Sequence, residues 1–147
     1  MSGRILVVDD SKVIRQLIRV NLELEGFEVE TAADGVECLD MVRHFRPDVI
    51  TLDVAMPRLD GLSTAERLRA DPRTRHIPLA VVSGCGDFEA AGPAGVDAFL
   101  AKPFEPAELV RVVRRLMQSV VGAAGGGVSS VTEQQAGEVE PSVRPVR

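Results

Sequence analysis

Apolar positions along this chain follow two patterns that take turns. Compact runs, Ile5-Leu6-Val7-Val8, Val49-Ile50-Thr51-Leu52, Ile77 to Val82 and Ala98-Phe99-Leu100-Ala101, each stop abruptly at polar or turn residues. Such runs predict strands buried on both faces. Phe27, Val29 and Thr31 instead alternate with Glu28 and Glu30, as in an edge strand with one solvated face. Between the runs, apolar residues recur near the helical period. Val13, Ile14, Leu17, Ile18, Val20 and Leu24 predict a first helix, capped by Asp10 or Ser11 and ended by Gly26. Asp34-Gly35 opens a second helix through Val36, Leu39, Val42 and Phe45, which Arg46-Pro47 closes. Leu62 to Ala70 predicts a third, stopped by Asp71-Pro72. Glu105 to Met117 predicts a last one, with Pro106 in its first turn.

Strand and helix alternating five times with short links predict an α/β fold, a doubly wound parallel sheet with helices on both faces. The half-exposed second strand belongs at an edge, which favours the flavodoxin-like order 2-1-3-4-5. The helix between the fourth and fifth strands is expected to be shortened. Residues 85–96 include Gly86, Gly92, Pro93 and Gly95 and leave only Asp87 to Ala91 for it, so this segment is expected to be mobile. From Val121 the composition turns to Gly, Ser, Glu, Gln and Pro, and residues 121–147 are expected to be a disordered tail.

Composition narrows the function. A chain of 147 residues with 45% hydrophobic content suits one folded domain, and its net charge of −5 gives no general reason to bind nucleic acid. Trp and Tyr are absent, so stacking on bases or sugars is not expected. Cys38 and Cys85 have no metal-ligand spacing and are read as free thiols. His44 and His76 are isolated. No apolar run approaches the length of a membrane span and no signal segment opens the chain, so a cytoplasmic location is expected.

Ligands of open α/β sheets bind outside the carboxyl ends of the strands. That edge collects Asp9, Asp10, Asp53, Ser83 and Lys102. Taken singly, each has a common structural role: Asp or Ser as a cap or turn residue, Lys as a solvated surface group. Together they present three carboxylates whose mutual repulsion a hard divalent cation such as Mg²⁺ relieves. With an ammonium and a hydroxyl beside them, they form a set suited to phosphoryl transfer. A carboxylate can itself be the nucleophile, and Asp53, on the central strand, is the candidate.

Val7-Val8-Asp9-Asp10, Asp53 to Pro57 with Asp60-Gly61, Ser83-Gly84 and Lys102-Pro103-Phe104 make residues 3–118 resemble the receiver domain of two-component response regulators, of the stand-alone chemotaxis-regulator type. The resemblance implies a receiver domain over residues 3–120. Asp53 would be the phosphoacceptor, served by a sensor histidine kinase or a histidine phosphotransfer protein. Asp10, Asp53 and the backbone carbonyl of Ala55 would bind Mg²⁺, with Asp9 acting mainly through water. Lys102 would pair with the phosphoryl oxygens across a cis bond to Pro103. Ser83 would hydrogen-bond the phosphoryl group, and Phe99 would be the coupled aromatic switch. A slow self-dephosphorylation is implied, in a signalling protein rather than an enzyme. It would act as a monomer or weak dimer on a downstream protein, with neither nucleic acid nor membrane as partner.

Two features depart from the family pattern. Ala55 and Cys85 stand where side chains modulate dephosphorylation, and the Ser83–Lys102 interval is about three residues short. The shortened interval leaves a phosphorylation-independent adaptor as one alternative. A Mg²⁺-dependent phosphohydrolase is another, disfavoured because Ala55 stands where an acid–base Asp would be needed.

Overall fold

Each run of the sequence becomes a strand: β1 (Arg4–Val8), β2 (Glu28–Ala32), β3 (Val49–Asp53), β4 (Leu79–Ser83) and β5 (Ala98–Ala101). The computed structural model describes residues 3–84 and 95–124, with side chains as far as Gln118. All strand pairs are parallel, in the order β2-β1-β3-β4-β5. The fold class and strand order expected from the sequence are therefore present. The described helices are α1 (Lys12–Leu24), α2 (Gly35–Phe45), α3 (Gly61–Ala70) and the C-terminal α4 (Pro106–Ala124). The short helix expected over 87–91, together with Cys85, lies outside the described residues, as does 125–147 of the expected tail.

Alternation along each strand divides the core into two layers. Ile5, Val7, Val49, Ala80 and Val82 pack with Ile18 and Leu22 of α1 and Leu109, Val113 and Leu116 of α4. Leu6, Val8, Ile50, Leu52, Leu79 and Val81 face the other way, onto Cys38 and Val42 of α2 and Ala65 and Leu68 of α3. Burying a side chain of this size contributes roughly 1.5–3 kcal/mol, so central strands with two apolar faces are stable only inside such a sandwich. β2, at the edge, keeps Glu28 and Glu30 in solvent.

Two elements differ from the sequence reading. The apolar residues of α1 lie on two faces. Ile18 and Leu22 are buried, whereas Val13, Leu17, Val20 and Leu24 are 76%, 42%, 50% and 78% exposed. The last helix also continues beyond Met117 to Ala124, taking in the first residues assigned to the tail. Val120 and Val121 extend the apolar content of the sequence there, and a single glycine, Gly122, costs a helix only about 1 kcal/mol relative to alanine.

The chain enters β5 through a return anchored by one side chain. Arg69, near the end of α3, donates from Nε to the Gly95 carbonyl (2.8 Å), and from one terminal nitrogen to the carbonyls of Arg75 (2.8 Å) and Ile77 (2.7 Å). Its other terminal nitrogen pairs with Asp97 Oδ2 (2.6 Å), which also accepts from the Leu79 amide. Gly95 has φ 82°, and a Cβ there would fall 2.8 Å from Arg69 Cγ. Arg69→Ala strands three carbonyls and a carboxylate at once. It is expected to lower the unfolding free energy by roughly 2–3 kcal/mol, while Arg67→Ala, on the exposed side of the same helix, changes it by less than about 0.5. Urea titration checks this through the midpoint at unchanged slope.

Candidate functional site

Parallel strands all end at one edge, and the residues that follow them meet there. Asp53 is the last residue of β3 and pairs in register with Val82, so Ser83 sits one step further out on the neighbouring strand. Ser83 pairs with Ala101, and its carbonyl accepts the Lys102 amide at 2.8 Å. This bond fixes the stem of Lys102 to the end of β4, and the Lys102–Pro103 peptide is cis. Asp9 follows β1 and its amide donates to the Ala32 carbonyl (3.1 Å).

The side chains converge. Lys102 Nζ lies 3.3 Å from Asp53 Oδ1 and 3.4 Å from Asp9 Oδ2. One oxygen from each of Asp9, Asp10 and Asp53 lies within 4.8 Å of the other two. Asp9 and Asp53 are buried and Asp10 is exposed. Burial, and next the Asp9 charge, raises the Asp53 pKa above the ordinary carboxylate range, with Lys102 offsetting part of the rise. Burial works against the Lys102 ammonium, but the Asp9 and Asp53 charges outweigh it and hold the Lys102 pKa up. Three carboxylates face one ammonium, and the uncompensated charge fits a divalent cation with hard oxygen ligands.

The remaining predicted residues fall at different places. Ala55 is exposed in the loop that follows β3. Phe99 lies in β5 opposite Val81 and packs against the layer that holds α2 and α3. Cys38 is a buried free thiol, with its pKa pushed up to about 12 by burial. A cavity of about 240 Å³ between α2 and α3, lined in part by Leu39, Val42, Arg43 and Arg73, is built by elements other than the strand ends.

Several supporting contacts lie outside the residues that the sequence reading singled out for the site. Arg15 donates to the Asp9 carbonyl (2.8 Å), and the Ser11 amide donates to Asp9 Oδ1 (2.9 Å). The Asp9-Asp10-Ser11 spacing could have indicated the second bond, because Asp commonly bonds the amide two residues on. Arg58 pairs with Asp34 at 2.8 Å, twenty-four residues away in sequence. Gly61 abuts β3 so closely that a Cβ would lie 2.2 Å from the Asp53 carbonyl oxygen.

Comparison with known proteins gives a consistent family. The family model for the response regulator receiver domain matches residues 5–114. Response regulator MprA of Mycobacterium bovis is 44% identical over 119 residues, covering 80% of this chain and 52% of the relative. The DNA-binding dual master transcriptional regulator RpaA of Synechocystis is 36% identical over 118 residues, 78% of this chain and 49% of the relative. The chain spans about half the length of these curated relatives. Because one of them is a DNA-binding regulator, the expectation of no nucleic-acid partner is not supported. Among solved structures, the receiver domain of the sensor histidine kinase PA1611 from Pseudomonas aeruginosa superposes with a TM-score of 0.74 at 33% identity, covering 80% of this chain and 99% of that one. That structure has a magnesium ion coordinated in its active-site cleft. Among the described residues of this chain, no helix is long and apolar enough to cross a membrane.

The raised Asp53 pKa has a consequence for stability. The ionised carboxylate is less favourable folded than unfolded, a cost present above the raised pKa and relieved as pH falls through it. In EDTA at neutral pH, Asp53→Asn is therefore expected to melt a few degrees above the wild type. Added Mg²⁺ should raise the wild-type Tm more than the variant's. Thermal melts in both buffers check this; a lower Tm for the variant in EDTA contradicts it.

Proposed function

This chain belongs to the response regulator receiver domain family, signalling domains phosphorylated on Asp by histidine kinases, and on that premise we propose that Asp53 is its phosphoacceptor. The observation that carries the proposal is the Lys102 ammonium set 3.3 Å from Asp53 and 3.4 Å from Asp9, beside a surplus of carboxylate charge. The donor is a phosphohistidine. An Asp53 carboxylate oxygen attacks phosphorus, the P–N bond breaks, and the imidazole leaves with that electron pair and takes up a proton from solvent.

Asp10, Asp53 and the Ala55 carbonyl would hold Mg²⁺, with Asp9 acting through water, and the ion would supply positive charge to offset that of the transferring phosphoryl group. Lys102 meets a phosphoryl oxygen with a compact charge already in place, so the site needs little reorganisation as the new oxyanion forms. Ser83 moves to donate a hydrogen bond from its hydroxyl to the phosphoryl group, and Phe99, in β5, is the aromatic switch coupled to that movement. Hydrolysis of the acyl phosphate by water returns the domain to its starting state and makes it a timed signal.

Input and output are both protein contacts in this reading. The exposed stripe Val13, Leu17, Val20 and Leu24 supports the first. It has the 4-3-4 spacing of a seam that accepts another helix, and it begins three residues beyond Asp10. A helix of the phosphodonor seated there lies next to the acceptor.

Incubation with Mg²⁺ and acetyl phosphate is expected to add the mass of one phosphoryl group to the wild type and none to Asp53→Asn, as read by intact-mass spectrometry. Equal labelling of the two overturns the assignment. No labelling favours a phosphorylation-independent adaptor, and rapid turnover of phosphomonoesters favours a hydrolase.

A further inference from the structure

The loop between β3 and α3 carries the Ala55 carbonyl and is tied to the molecule at a distance from the carboxylates. Arg58, at its apex, has φ 64°, a left-handed conformation that favours Gly or Asn over Arg. Its side chain reaches Asp34 with both Nε (2.9 Å) and a terminal nitrogen (2.8 Å), converging on Oδ2. Asp34 is 6% exposed, and its other oxygen caps α2 by accepting the Glu37 amide (2.9 Å). These bonds hold its pKa below the ordinary range, the Glu37 amide contributing most and Arg58 less. The Gly35 amide next to it donates to the Leu59 carbonyl (3.1 Å). Gly35 leaves no room for a side chain, since a Cβ would meet Leu59 O at 2.6 Å and Thr64 Oγ1 at 2.1 Å.

The loop's two ends are fixed differently. At its root the Gly61 amide donates to the Val54 carbonyl (2.9 Å), which closes the stretch 54–61 into one unit. At its apex only Arg58 and Leu59 fasten that unit to the start of α2 by hydrogen bonds or ion pairs among the described residues. The turn by itself does not call for arginine, because glycine adopts this backbone without strain. Arginine is useful here for its reach to Asp34.

We infer that the Arg58–Asp34 pair is a positioning latch that sets where the 54–57 backbone stands against the carboxylate cluster, and thereby tunes Mg²⁺ affinity and the lifetime of phosphorylated Asp53. The inference rests on the functional reading above and concerns neither the acceptor nor its ligands directly. Arg58 touches no reacting atom; it acts through the loop. Its guanidinium is more than half exposed, so its energetic share in folding is small. Its effect is geometric: it selects one loop position among those a freely hinged turn would adopt.

Two variants separate this role from a merely structural one. Arg58→Gly removes the latch while easing the left-handed turn, and Asp34→Ser removes it while keeping a good N-cap for α2. The wild type, both single variants and the double variant are titrated with Mg²⁺, following backbone amides 54–61 by NMR, and melted in parallel. Decay of the acetyl-phosphate-labelled form is timed by intact mass. Each variant is expected to weaken Mg²⁺ binding about threefold to tenfold, below the about 10–100-fold typical of groups that bond a ligand directly. Decay should shift in each, and the double variant should match the singles rather than their product. Arg58→Gly should do this with an unchanged or higher Tm. Wild-type Mg²⁺ affinity and decay in Arg58→Gly overturn the latch alone. A wild type that takes up neither Mg²⁺ nor phosphoryl overturns the functional reading and the latch with it.

Discussion

Lys102 stands between two buried carboxylates and balances neither completely. That imbalance constrains everything near it. A fully paired cluster would be a structural ion network, stable and inert. A cluster with a larger surplus would cost folding energy that a domain of this size cannot easily spare. The strand ends hold the charges at separations where one ammonium makes the cluster tolerable but leaves a surplus of negative charge that suits a cation. The sheet provides this. Its central strands are buried on both faces, so Asp9 and Asp53 cannot swing away into solvent. The Ser83 carbonyl fixes the Lys102 backbone, and the ammonium is held between Asp9 and Asp53.

Much of this was legible in the residues because the informative signals are local. An apolar run that ends in Asp predicts a buried strand with a carboxylate at its tip, and β1 and β3 have that form. The alternation of Phe27 to Thr31 identified β2 as the edge. The chemistry was legible for a related reason: once strands are parallel, all their C-terminal residues share one edge, so Asp9, Asp53, Ser83 and Lys102 could be placed together before any distance was known.

What was not legible depends on tertiary geometry. On α1 the apolar residues satisfy helical periodicity for two different faces. Only packing distinguishes Ile18 and Leu22, which touch the sheet, from Val13, Leu17, Val20 and Leu24, which do not. The last helix runs to Ala124 through a glycine that composition treats as a breaker. Arg58 and Arg69 look like ordinary surface arginines in the sequence. Their importance lies in the carboxylates and carbonyls they reach across 24 and 28 positions, and no period or motif encodes such a span.

Gly61 carries a different implication. A Cβ here would lie 2.2 Å from the Asp53 carbonyl oxygen, so the first turn of α3 packs against the end of β3 more closely than any side chain would permit. The two segments are packed backbone to backbone, so a displacement of the tip of β3 is passed directly to α3. For sequence divergence the outcome is a narrow gate. Neighbouring surface positions can drift one substitution at a time, but this site has room only for a residue without a side chain.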